Sequence, residues 1–459
     1  MLWGGFRPPF QSLLSLRTLL SAFSPMMRGD PALVFPIPML QQPQIFPAPP
    51  RALMEGIEGK LGPGGTTWHI YTPVEAPLDQ VVASTLEWSL EDATRLIMFG
   101  AVYTDVRTGK GNDFGSKVKR TMEPGKIIEE GGYVRLYPSP KQHPECQVDW
   151  EALVVHEDDH CIVIDKPTGV PCHALVDNMH QNVISCMNTV LAARGKGSVI
   201  GTTRLDVETS GLLVLGKSSE WVNTYHLLIQ PERVKNRSKV REEEGGGDGV
   251  APMQNVRKKY RALVHKAATA AAKDVDEVDV AYDDSASERH GSGCGCAPLE
   301  AGEKRHFIAP GKYAPRKFSR NSMGEDWKEC RLMIEDVVDC KGMLNERLPE
   351  AFHEPDACVR EVRMELMTGR THQIRGQLSC DGWPVVGDAL YGPDALIFTE
   401  VDGSPFMPGY RCYRRGGKDG VGHVKEVGPT MCLQCCGLSF YTEQTGQVDL
   451  NLERAWWHK

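Results

Sequence analysis

From residue 77 onward the apolar positions follow first a helical and then a strand period. Val81, Val82 and Leu86 open one helix, and Ala93, Leu96 and Ile97 supply the apolar face of a second. Ser89 stands where an N-cap is needed, with Asp92 three residues on as an imperfect capping box. Gly100 stops that helix, and residues 101–104 and 132–137 then read as strands. Past residue 150 a strand ends at Asp165 and turns through Lys166-Pro167-Thr168-Gly169. A helix follows, with Val183, Ile184, Met187, Val190 and Leu191 at helical spacing up to Gly195, and then an apolar strand at 212–215. Tyr260, Ala262 and Val264 share one face of a strand, and Val362, Met364 and Leu366 alternate on another. Gly369 turns the chain into a short helix lined by Ile374 and Leu378 that ends near Gly382.

Three stretches lack either period. Residues 1–75 begin with Arg7, Arg17 and Arg28, several serines and no acid before Asp30, the composition of a mitochondrial or plastid transit peptide. An ordinary cytoplasmic N-terminus is the alternative. A Pro-rich run at 31–50 then reads as a linker. Residues 231–255 and 266–310 read as insertions. In the first, Arg233, Lys235, Arg237, Lys239 and Arg241 form either an RNA-contacting arm or a solvated tract. The second holds nine acids between Asp274 and Glu303 against one base, Arg289, and is Ala-, Ser- and Gly-rich. That segment carries the whole formal net charge of −8, so the charge balance does not exclude a nucleic-acid partner.

Composition narrows the classes further. With 41% hydrophobic and 24% charged residues, a largely disordered chain is excluded. No uncharged run of 18 apolar residues occurs, which excludes a transmembrane helix. The 14 cysteines are scattered, several in strand-like stretches, as suits reduced buried thiols rather than a disulfide scaffold. Cys432-x-x-Cys435 with Cys436 lacks the second ligand pair that a structural zinc site needs, and reads as a cysteine-rich strand. The glycines at 107–117 fail the phosphate-loop spacing, so nucleotide hydrolysis has no support.

The chemistry concentrates in three blocks. The first is Arg204-Leu205-Asp206-x-x-Thr209-Ser210-Gly211, the second is the strand bearing Tyr260. The third runs Gly369-Arg370-Thr371-His372-Gln373-Ile374-Arg375 and continues as Gly387-Asp388-x-Leu390-Tyr391-Gly392. Taken singly, Asp206 would be a turn former, Tyr260 a core residue, and Arg370 and Arg375 solvated or ion-paired. In this order the blocks resemble the RluA-type pseudouridine synthases over most of residues 151–459. One departure is Thr203, where that family usually has His before the Arg-Leu-Asp.

The resemblance implies an α+β fold, a mixed, largely antiparallel sheet flanked by helices, for a catalytic domain at 150–459 carrying both insertions. It also implies isomerisation of uridine within RNA by a single carboxylate, with no cofactor and no metal. Asp206 maps to that carboxylate, as nucleophile or as base. Arg375 maps to its cationic partner, Tyr260 to the tyrosine against the base, and Arg204 to the arginine that fills the gap left by a flipped uridine. Arg370 joins the RNA-binding set, and His372 is read as structural. The helix–turn–strand order at 76–140 resembles the S-four RNA-binding module, with Lys117, Lys119 and Arg120 as candidate phosphate contacts and Arg95 the one base on its recognition helix. A small domain with no RNA contact is the alternative there. The expected partner is structured RNA, ribosomal or transfer, bound by a monomer away from membranes. A non-catalytic RNA-binding protein is the competing class, disfavoured because a pure binder has no use for a buried carboxylate–arginine pair.

Overall fold

The structure, a computed structural model, describes residues 37–47, 67–105, 118–229, 256–266, 298–311, 314–340, 342–346, 348, 352–353, 358–392 and 431–459. Lys117, most of the N-terminal stretch, the basic tract at 233–241 and the acidic residues 274–288 lie outside them. The chain forms two compact units, residues 1–148 with 173–196, and residues 149–172 with 197–459.

In the first unit, helices α1 (Ile37–Gln41), α2 (Leu78–Leu86), α3 (Leu90–Met98) and α4 (Val183–Ala193) accompany strands β1 (Trp68–Tyr71), β2 (Ala76–Pro77), β3 (Val102–Asp105), β4 (Val118–Arg120), β5 (Ile127–Ile128) and β6 (Tyr133–Leu136). Four strands pair in the order β1-β6-β3-β4, all antiparallel. Leu78, Val81, Val82 and Leu86 of α2 join Ala93, Leu96 and Ile97 of α3 and Val102, Val134 and Leu136 of the strands in one core. The α3 cap is as the sequence implies: Ser89 Oγ accepts the Asp92 amide at 3.0 Å. Gly100, at φ +86°, takes the left-handed turn past its end.

Two sequence expectations change here. Within the Pro-rich run, residues 37–41 are helical, and Leu40, 1% exposed, packs against Phe99. Gln41 Nε2 also donates to Thr189 Oγ1 at 3.0 Å, so this part is docked rather than a free linker. Helix α4, expected with the catalytic region, packs in the first unit. The loop before it is held there by His180 Nε2 on the Met98 carbonyl (2.8 Å) and by the Lys141 amide on Asp177 Oδ2 (2.8 Å).

The second unit comprises β7 (Val154–Glu157), β8 (Cys161–Lys166), β9 (Ile200–Gly201), β10 (Ser210–Gly216), α5 (Ser219–Ile229), β11 (Arg257–His265), β12 (Gly302–Ile308), β13 (Phe318–Ser319), β14 (Lys328–Asp339), β15 (Val359–Leu366), α6 (Gln373–Cys380), β16 (Leu433–Thr442) and β17 (Gly446–Asn451). They build one sheet in the order β13-β12-β14-β15-β11-β16-β10-β8-β7, with β17 on β16 and β9 on β10. Among the described strands only β10 and β16 run parallel, so the sheet is mixed and largely antiparallel, as expected. Strand β12 falls inside the expected second insertion. It pairs with β14 along seven residues, and Glu303 bonds to Arg331 at 2.6 Å, so the last part of that segment belongs to the sheet.

The parallel pair meets at a glycine. Gly211 pairs with Cys435 at φ +106°, and a Cβ there would lie 2.2 Å from the Cys435 carbonyl oxygen. The strand can therefore approach its neighbour only without a side chain. Gly211→Ala should cost about 1–3 kcal/mol from crowding alone, with the unfavourable φ adding to it. Thermal or denaturant unfolding of the purified variant checks this; an unchanged midpoint would refute the close approach.

Candidate active site

The loop from Arg204 to Thr209 enters β10 and is held from below by a fully buried lysine. Lys166 Nζ donates to the carbonyls of Pro167 (2.8 Å), Val170 (2.7 Å) and Val207 (3.0 Å). Thr168 Oγ1 donates to the Glu208 carbonyl at 2.7 Å, and the Gly169 amide to Val207 at 2.9 Å. The Cys172 thiol faces the backbone of Leu205, 3.3 Å from its oxygen and 3.4 Å from its nitrogen. Two apolar strands thus carry a loop whose polar backbone groups are satisfied by the β8 turn, which fixes where Asp206 points.

Asp206 keeps 29% of its side chain exposed, and its Oδ2 takes a hydrogen bond from Arg375 Nη1 at 3.1 Å. The pairing expected of these two residues is present. Arg375 sits on α6 with 6% of its side chain exposed, and its other two nitrogens grip Asp388, Nε on Oδ2 and Nη2 on Oδ1, both at 2.7 Å. Asp388 is wholly buried and also accepts the amides of Leu390 (2.9 Å) and Tyr391 (3.0 Å). Burial works against the charge on Arg375, yet the two carboxylates, Asp388 foremost, raise its pKa above the usual value. Asp388 stands in the third block of the sequence, but its pairing with Arg375 was not expected there. Only the contact across the fold shows it neutralising the arginine.

His372 caps α6 in the left-handed conformation, φ 55°. Its Nδ1 lies 3.2 Å from the Tyr391 hydroxyl and its Nε2 3.8 Å from Asp206 Oδ2. Burial, and the nearby Arg375, lower its pKa in spite of Asp206, so at neutral pH it is uncharged. Tyr391 also packs its ring 5.3 Å from the Arg375 guanidinium carbon, and burial pushes its hydroxyl up to about 12.

Tyr260 lies on β11 opposite Cys435, 6% exposed. Burial, the Cys435 thiol that its hydroxyl engages and the charge of Asp206 all push its pKa far up. It is therefore a neutral phenol, able to donate a hydrogen bond but poorly suited to act as a base. Arg204 and Arg370, the expected RNA contacts, are exposed. Arg120 is not available in the same way. It donates to the Tyr103 hydroxyl (2.8 Å) and Met179 sulfur (2.7 Å) and also to the Leu175 carbonyl, so it serves the first unit internally. Arg95 is likewise committed, to Asp92 and to the Ile45 carbonyl, which leaves α3 without a free base.

Two outcomes follow from this geometry. Arg375→Met leaves the wholly buried Asp388 without its cation, so the variant should lose about 3–5 kcal/mol of stability; equilibrium denaturation measures it, and a loss below 1 kcal/mol would show that Asp388 does not depend on Arg375. For His372 the folded pKa lies below the ordinary 6.5. As pH falls through that value the unfolded chain takes up a proton first, so stability present above it declines. His372→Asn keeps a residue that tolerates the left-handed cap and should flatten the decline between pH 7 and 5. Parallel slopes for the two proteins would exclude the effect.

Comparison with known proteins finds similarity over this region. Residues 160–380 match the model of a family described as RNA pseudouridylate synthase. The chain is 26% identical over 368 residues to RNA pseudouridine synthase 6, chloroplastic, of Arabidopsis thaliana, covering 76% of this chain and 65% of that protein. Against the Oryza sativa protein of the same name it is 26% identical, covering 63% and 50%. The chain thus spans between half and two thirds of the length of these relatives. The human RNA pseudouridylate synthase domain containing 1 superposes over 66% of this chain and 82% of its own at 19% identity, with a TM-score of 0.33. Residues 160–380, which hold the Arg204–Gly211 block, Tyr260 and the Gly369–Arg375 block, are thus similar to the RNA pseudouridylate synthase family, and the relatives' names point to its RluA-type branch.

Proposed function

We propose that the protein is an RNA pseudouridine synthase, an isomerase that converts selected uridines in RNA to pseudouridine. The observation that carries this reading is the half-exposed Asp206 carboxylate, held at one oxygen by an arginine already neutralised by Asp388. Such a carboxylate is partly open to solvent, and among the described residues its Oδ1 takes no hydrogen bond, so that oxygen can act at the sugar. In the reaction the bond from ribose C1′ to uracil N1 breaks and a bond from C1′ to C5 forms. The C5 proton leaves and N1 regains one, so atoms and charge balance within the nucleotide. Asp206 acts either on C1′ as nucleophile or on the sugar as base. Tyr260, uncharged, lies against the base and donates rather than accepts. Arg204, exposed and without a hydrogen-bond partner among the described residues, takes the place of the uridine in the stack.

The substrate is structured RNA, ribosomal or transfer, bound by a monomer. One of the bacterial relatives is named a ribosomal large subunit pseudouridine synthase. The plant relatives are named as chloroplastic; with the Arg- and Ser-rich start of the chain, this supports a plastid, with the mitochondrion or cytoplasm as the other compartments. The two helices followed by strands of the first unit keep the S-four-like reading open. Any phosphate contacts it makes would come from Lys117, which lies outside the described residues, and from exposed Lys119 rather than from Arg120.

Asp206→Asn keeps the shape and removes the charge. Pseudouridine formation should fall by at least about a thousandfold, the scale on which covalent and acid–base groups act, while RNA binding persists. Mapping of pseudouridine in total RNA incubated with each protein tests it; residual activity within tenfold of the parent would sink the assignment. Arg204→Met should weaken single-turnover conversion on a stem-loop and hurt much less on an unpaired oligonucleotide, where no stack needs filling. Equal losses on both substrates would remove the gap-filling role.

A further inference from the structure

Strand β11 carries a second side chain toward the Asp206 loop. Lys258 stands two residues before Tyr260, and the register shift between β11 and β16 skips Cys436 on β16, so β11 keeps its alternation and both residues share a face. Lys258 is half-buried, and its Nζ donates to Thr203 Oγ1 at 3.0 Å. That hydroxyl is its one hydrogen-bond partner among the described residues, and no carboxylate there pairs with it. Its charge instead acts on the Cys435 and Cys172 thiols, and Cys172 in turn lies within reach of Arg204 and Asp206. Two cations with no acidic partner, Lys258 and Arg204, therefore flank the loop that presents Asp206, whereas the neighbouring Lys259 is spent on Glu335 at 2.7 Å. A half-buried ammonium facing only a neutral hydroxyl is undersatisfied. Burial depresses its pKa, and an incoming anion would reverse that.

We propose that Lys258, aimed by Thr203, binds the backbone phosphate adjoining the nucleotide that enters the Asp206 site, so that the threonine before Arg204 serves as the brace of an anion subsite. The proposal rests on the reading that this site takes a uridine within RNA. The anion is monovalent and carried by the chain of the substrate, which makes the contact a measure of position along the backbone rather than of base identity.

The test uses the full chain and octauridylate, with affinity measured across a salt series. One phosphate contact on a single strand contributes about 0.7 to the slope of log affinity against log salt, or about fivefold at 0.1 M salt. Lys258→Met should lose that slope increment and about fivefold in affinity, Lys258→Arg should retain both, and Lys259→Met should change neither. Thr203→Val should lower affinity with the slope kept, because the cation remains but is no longer aimed. Melting curves identify any variant that fails to fold, and Lys258→Gln then replaces Lys258→Met. A parental slope in Lys258→Met or Lys258→Gln overturns the proposal, as does an equal loss of slope in Lys259→Met, which would mark diffuse attraction. The underlying reading fails separately, when octauridylate binds with a Lys258-dependent slope yet no pseudouridine forms in any RNA.

Discussion

A guanidinium withdrawn from water must be neutralised on the spot, and the active half of this molecule is organised around meeting that demand for Arg375. The side chain has one face for Asp388 and one for Asp206, and the two carboxylates are treated differently by their surroundings. Asp388 is sealed, bidentate and further bonded to two amides, so it is fixed in position. Asp206 takes one hydrogen bond at its Oδ2, with His372 farther off at 3.8 Å, and stays partly in solvent. The inner carboxylate discharges the electrostatic cost of burying the arginine. The outer one keeps an oxygen, Oδ1, that takes no hydrogen bond among the described residues.

Rigid support for this arrangement comes from backbone chemistry rather than from further charges. Lys166 satisfies three carbonyls of the turn and the loop, and the β8 and β10 strands clamp both ends. A loop tied at Val207, Glu208 and Leu205 has few ways to move, so the Asp206 carboxylate is held in place. Thr203, the departure from the family pattern, does not disturb this tie, since its side chain faces Lys258 instead.

Much of this was legible in the residues themselves. Ser89 and Asp92 mark a helix start by local hydrogen bonding, and the alternation at Tyr260, Ala262 and Val264 needs only a period of two. The Asp206–Arg375 pair was legible through the family blocks, not through spacing, because 169 residues separate them. What escaped depends on contacts no local pattern encodes. Leu40 is one apolar residue among prolines, and its burial against Phe99 follows from a partner about sixty positions away. Arg120 reads as a surface base until Tyr103 and Leu175 are seen to consume it. Strand β12 hides behind an acidic tract because a single seven-residue strand, GEKRHFI, is half polar and belongs to an outer part of the sheet.

The position of β16 in the sheet has a consequence for how the molecule is made. This strand follows every other strand of the sheet in sequence except β17, yet it lies between β10, which leads from Asp206, and β11, which bears Tyr260. Until it is in place the two strands that flank it have no hydrogen-bonded connection to each other, and the left and right parts of the sheet are separate fragments. Closure of Ser210 against Gln434 spans more than two hundred residues, a loop whose entropy must be met before the pairing rewards it. A ribosome delivers these segments in order, so Asp206 and Tyr260 wait, unjoined, for the last tenth of the chain, and the exposed edges of β10 and β11 are open to chaperones or to aggregation throughout that interval.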